Sequence, residues 1–196
     1  MVDSRIKQVA DILVNYSTKI KKGEYVQIVG DTVAEPLLKE IYKLVLANHA
    51  FPVMKLSFPW QNYIYYKNAS EYQLNHFPEV SMEEMKRTDA VIYVAAGSNS
   101  RQLTNIDPRL ISMRQKVVDP INKERLKKKW VIFNYPSNSL AQEADMSTEE
   151  FEDFVYGASL HDWKERSREL DKAIKLMNKG KIIHIVGEDT DIKLSN

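Results

Sequence analysis

Four histidines, His49, His76, His161 and His184, are the side chains best suited to move a proton or ligate a metal at neutral pH. None has a partner at a productive spacing. There is no His-Glu-x-x-His, His-x-His or His-x-Asp anywhere in the chain. His76 and Glu79 straddle Phe77-Pro78, and Pro78 breaks the helix that would align them. His161 precedes Asp162 at a helix start, where Asp serves as an N-cap. His184 lies in mid-strand. Cysteine is absent, which excludes thiol nucleophiles, thiolate metal sites and disulfides. The nucleophile elbow Gly-x-Ser-x-Gly is also absent. The residue types therefore assign no catalytic, cofactor-binding or metal-ligating position.

Anion chemistry is the next possibility. Gly30 and Gly97 each follow an apolar run, but neither belongs to a Gly-x-Gly-x-x-Gly or phosphate-loop pattern. The polar loop Gly97-Ser98-Asn99-Ser100-Arg101-Gln102 follows the most apolar run of the chain. In open α/β sheets, ligands sit at the carboxyl ends of the strands. Loops at Gly30, Gly97 and Tyr135 are thus where a free-standing module would hold a small anionic ligand. Basic residues gather from Arg101 through Arg109, Arg114, Lys116, Lys123, Arg125 and Lys127 to Lys129, and acids dominate 143–153. Glu124 interrupts the basic run and no aromatic platform interleaves it. A solvated helix face, rather than nucleic-acid binding, is the expectation, with the acidic stretch close enough to lie beside it.

The totals agree with this. Lys+Arg number 28 against 27 Asp+Glu, giving a formal net charge of +1 and no global pull toward polyanions or anionic membranes. The longest apolar run, residues 90–96, is far below the ~20 residues needed to cross a bilayer. Asp3, Arg5 and Lys7 leave no apolar leader at the N-terminus. The expectation is a soluble cytoplasmic protein.

The elements that must position any site alternate in type. Ile6, Val9, Ala10, Leu13 and Tyr16 have helical spacing over 3–20, with Asp3 or Ser4 as cap and Gly23 as terminator. Residues 25–29 (YVQIV) are a strand, and a helix opens after Asp31-Thr32 with Pro36 in its first turn. Residues 52–58 form a second strand, and short helices broken at Pro78 carry the aromatic stretch 60–77. Residues 90–96 (AVIYVAA) read as a strand buried on both faces. A helix opens at Pro108, and residues 130–135 form the fourth strand. Ser147 and Glu150 make a capping box, and a further helix covers 162–178. Residues 181–186 form the fifth strand. This pattern predicts an α/β fold: a three-layer Rossmann-like domain with a mostly parallel five-stranded sheet. Ile192 and Leu194 then alternate with polar residues, as a half-buried strand does. That strand is either a terminal edge hairpin or the lead into a further sheet.

One segment is more specific. Residues 134–156 run from Asn134-Tyr135-Pro136 through a small-residue loop with Ala141-Gln142-Glu143-Ala144 to Met146-Ser147 and an acidic capped helix. This resembles the N-terminal domain of the aminopeptidase T and aminopeptidase S family of metallopeptidases. Residues 10–16 followed by Lys22-Gly23-Glu24-Tyr25-Val26 resemble that family's opening helix and first strand. Glu35-Pro36-Leu37 resembles its second helix, and 182–191 its crossing into a second domain. The resemblance implies 1–186 as an N-terminal α/β domain and 187–196 as the start of a catalytic C-terminal domain otherwise absent. It implies removal of N-terminal residues from peptides by a pair of divalent metals of zinc or cobalt type. The ligands would be Glu, His and Asp of the C-terminal domain. No position here matches them, so this fragment is expected to bind no metal and to be inactive. The resemblance also implies a homodimer and a missing C-terminal partner domain. The aromatic stretch 60–77 is the surface expected to be covered by that partner, since large apolar patches are rarely left bare.

Overall fold

The computed structural model describes residues 3–195, which form two compact units divided between Leu160 and His161. In the first unit, α1 (Ser4–Asp11) starts at Asp3, whose carboxylate accepts the Arg5 N–H at 2.8 Å. The expected long first helix is interrupted. Residues Ile12–Ser17 widen into a π-helical turn, because the Thr18 hydroxyl donates to the carbonyls of Leu13 and Val14 at 2.8 and 3.3 Å. Gly23 then turns the chain at φ +84°, a conformation glycine adopts without steric cost.

Strand β1 (Tyr25–Asp31) leads through a 3-10 turn at Thr32–Ala34 into α2 (Glu35–Ala47) and β2 (Phe51–Ser57). Three short helices follow: α3 (Gln61–Asn68), α4 (Glu71–Asn75) and α5 (Glu79–Arg87). Strand β3 (Ala90–Ala95), α6 (Pro108–Arg125), β4 (Lys129–Asn134), α7 (Asn138–Glu143) and α8 (Thr148–Ser159) complete the unit. The capping box is present, with Ser147 Oγ accepting the Glu150 N–H and the Glu150 carboxylate accepting the Ser147 N–H.

The four strands are all parallel, in the order β2-β1-β3-β4. The α/β three-layer reading holds, but the strand number is corrected. Residues Ile182–Gly187 (β5) pair antiparallel with Thr190–Ser195 (β6) in a separate two-stranded sheet. Glu188 and Asp189 form the turn, with Asp189 at φ +54°. A partner three residues away, Thr190 for Gly187, is reached with far less loop entropy than one across the domain. The second unit consists of this hairpin and α9 (Trp163–Met177), capped by Asp162, whose carboxylate accepts the N–H groups of Lys164 and Glu165.

Alternation along the strands builds the layers. Val26 and Ile28 of β1 and Ala90, Ile92 and Val94 of β3 face one way, into a buried core with Val9 and Leu13 of the opening helix and Leu37, Ile41 and Val45 of α2. Gln27, Val29, Val91 and Tyr93 face the other way, toward α5 and α6. Residues 90–95 are therefore buried on both faces as expected, except at Tyr93, which is 40% exposed.

Candidate functional site

Because all four strands run the same way, their carboxyl ends share one edge. The chain reverses its direction of travel across the sheet between β1 and β3, so Asp31, Gly97 and Tyr135 meet at the crevice where α/β sheets hold ligands. The structure brings together the three loops that the sequence selected.

What they offer there is mostly internal bonding. Asp31 is buried, and its carboxylate accepts the Val33 N–H at 2.9 Å, capping the 3-10 turn. Gly30 is glycine because of close packing. A Cβ at that position would lie 2.9 Å from Leu38 Cδ2 and 3.1 Å from the Val94 carbonyl oxygen. Gly97 is different, since a Cβ there would meet nothing within 4 Å. Its carbonyl accepts the Ser139 hydroxyl at 2.5 Å, and Ser139 Oγ is 3.1 Å from Ser137 Oγ. Arg101, the cation of this loop, has its Nε 3.4 Å from the Glu143 carboxylate. The Ser100 hydroxyl donates to the same carboxylate at 2.6 Å. These bonds, first from Ser100 and then from Arg101, hold the Glu143 carboxyl below its ordinary range.

Behind the edge, Tyr135 and Tyr156 are buried, and burial pushes both phenols up. The Tyr156 hydroxyl has no hydrogen-bond partner. The Arg5 guanidinium lies 4.7 Å from the Tyr156 ring centroid and pairs with Asp3, Glu152 and Asp153. This ties the first helix to α8 by charge as well as by packing.

The histidines remain apart. His49 closes the turn after α2 at φ +56°, and His76 Nε2 lies 3.8 Å from Glu79. The His161 ring meets Trp163 edge-on. His184 Nε2 is 2.9 Å from Asp191 Oδ1 across the hairpin. The sequence reading missed this pair. Pairing Gly187 with Thr190 puts Val186 opposite Asp191, and His184 lies two residues back on the same face. Recognising the two-residue turn would have found it. Among the described residues, no three His, Cys, Asp or Glu side chains converge to hold a metal, so the residues do not fit the metal pair that the resemblance implies.

The basic run is tied down along its own length rather than by the acidic stretch. Arg109 pairs with Asp107, Lys123 with Asp119, Lys127 and Lys128 with Glu124, and Lys129 with Glu24. Of residues 143–153, only Glu143 reaches the run, through Arg101, while Glu152 and Asp153 are held by Arg5. Among the described residues, no helix is long and apolar enough to cross a membrane.

The geometry defines a Rossmann-like α/β domain whose strand-end loops are closed by their own hydrogen bonds. A family model described as "Thermophilic metalloprotease (M29)" matches residues 2–196, and the chain belongs to that family. It is the aminopeptidase T and S family that the ordered motifs resembled. Among solved structures, "Wild-type AmpT from Thermus thermophilus" superimposes with a TM-score of 0.79 at 18% identity, over 97% of this chain and 53% of that one. This chain therefore spans about half the length of that relative. No curated protein matches the sequence.

Proposed function

We propose that this chain is the N-terminal, non-metal-binding domain of a metal-dependent aminopeptidase that removes N-terminal residues from peptides. The observation carrying the reading is the family match over residues 2–196, joined to a fold match covering about half of the AmpT chain. The divalent metals, of zinc or cobalt type, and the catalytic residues belong on a C-terminal half. This domain supports that half, walls its active site and shapes a dimer.

Surface chemistry supports the arrangement. One face of the hairpin exposes Ile185, Ile192 and Leu194. A two-stranded ribbon with an apolar face has little stability alone and is suited to continue into a larger sheet. Trp60, Tyr63 and Tyr72 are 54, 36 and 79% exposed, in keeping with a surface that another domain or protomer covers. No step of hydrolysis is assigned to residues of this chain.

The test is direct. The purified chain, supplied with zinc or cobalt and dialysed, is expected to retain no stoichiometric metal by elemental analysis and to leave leucine p-nitroanilide intact. Joining it to a family C-terminal half is expected to yield metal-dependent hydrolysis. Tight metal together with hydrolysis by the chain alone would overturn the assignment.

A further inference from the structure

The face of the sheet turned away from the main core holds a cleft of about 390 Å³, inside the ~300–1,000 Å³ range of small-molecule sites. Strand register lays its floor in two rows. Gln27 and Val91 align in one, and Lys55, Val29, Tyr93 and Ile132 in the next. Met85 of α5 and Ile121 of α6 complete the apolar wall. The carboxyl-edge loops described above contribute nothing to this lining.

The polar groups around the cleft are few, and several have no protein partner. Gln27 is only 3% exposed and lines the cleft, yet its side-chain amide makes no hydrogen bond among the described residues. The amide of Asn122, on α6, likewise has no partner there. The two cations differ. Lys55 is neutralised by Glu84. Arg125 has no carboxylate within 4 Å among the described residues, and its guanidinium lies 5.1 Å from the Trp130 ring centroid. Stacking holds that fork in place while leaving its N–H donors available. The cleft therefore presents an apolar body, an unpaired cation and amide donors, with no unpaired anion.

We propose that this cleft binds a small carboxylate with an apolar body, its carboxylate on Arg125 and its hydrocarbon against Val29, Met85, Ile121 and Ile132. The assignment does not depend on the peptidase reading. Calorimetric titration of the 196-residue chain with 4-phenylbutyrate, and with neutral 4-phenylbutyramide, tests it. Saturable one-to-one binding of the acid is expected, with the amide weaker by about tenfold or more, since a bidentate charge-assisted pair is lost. Arg125→Gln, at a partly exposed helix position, is expected to weaken the acid about tenfold and leave the amide unchanged. Absence of saturable binding by the unaltered chain overturns the proposal. So does equal affinity for acid and amide, or an Arg125→Gln affinity equal to that of the parent.

Discussion

Gly30 and Gly97 both end strands at the ligand edge of the sheet, and a single substitution separates their roles. A Cβ added to Gly30 would meet Leu38 Cδ2 at 2.9 Å, Leu38 Cδ1 at 3.1 Å and the Val94 carbonyl oxygen at 3.1 Å. Leu38 is 2% exposed and packed in the core, and Val94 belongs to β3, which is paired on both sides. Neither neighbour yields cheaply. Overpacking by one methyl costs about 1–3 kcal/mol. At Gly97 the same methyl enters open space. Neither glycine has a positive φ, so alanine brings no backbone strain, and each substitution gains ~0.4–1 kcal/mol by restricting the unfolded chain. That gain cancels in the comparison, so Gly30→Ala should fall below Gly97→Ala by about 1–3 kcal/mol. At ~2–4 °C per kcal/mol for a chain of this size, the two melting temperatures should differ by roughly 2–12 °C. Urea titration followed by far-ultraviolet circular dichroism gives the free energies, and thermal scans give the midpoints. Equal stability of the two variants would refute the claim that Gly30 is held by packing. It would reopen this strand end as a backbone cradle for a ligand.

Other residues give further tests. Tyr156→Phe removes a buried hydroxyl with no partner, so stability should hold or rise by up to ~1 kcal/mol; a loss above ~1 kcal/mol in urea would show a bond that the structure lacks. Ser147→Ala breaks the α8 capping box and should cost about 1 kcal/mol, whereas Thr148→Ala should cost less by the same titration. Glu24 gives a pH test. Its carboxyl is partly desolvated, yet bonds from Lys129 and the Lys21 N–H outweigh that and hold it below the ordinary glutamate range. A carboxylate depressed in the folded state stabilises fully above its unfolded pKa and loses that contribution as the pH falls through the folded one. Glu24→Gln should therefore lower the melting temperature at pH 7, and the gap from the parent should shrink as the pH falls below the glutamate range. A gap independent of pH would contradict the assignment.

How much was legible in advance follows the range of each interaction. Caps were readable because they are local: Ser147 with Glu150, and Asp162 before its helix, satisfy N–H groups two or three residues away. The β/α alternation was readable because periodicity reports burial directly. The strand-end loops were found for the same reason, since parallel strands bring their carboxyl ends together whatever the sequence between them. The fate of residues 182–187 was not readable. An apolar strand after a helix is equally a fifth parallel strand or half of a hairpin, and only the competition between pairing partners decides. The pairing of the basic run was only partly readable: Asp107, Asp119 and Glu124 lie within it, but Glu24, which neutralises Lys129, lies 105 residues away.

Composition, absent motifs and the order of short segments therefore determined three things without coordinates. They gave an α/β domain, no built thiol or nucleophile-elbow chemistry, and kinship with a metallopeptidase family. All three are properties of residue type and local spacing, which no fold can alter. The tertiary structure alone decided which residues share space. It packed Gly30 of β1 against Leu38 and Val94 and put His184 beside Asp191. It also left Gln27 and Arg125 facing an apolar cleft between the sheet and its helices. Such placements depend on register and packing between segments tens of residues apart. Their energies belong to the assembled domain and not to any stretch of its chain.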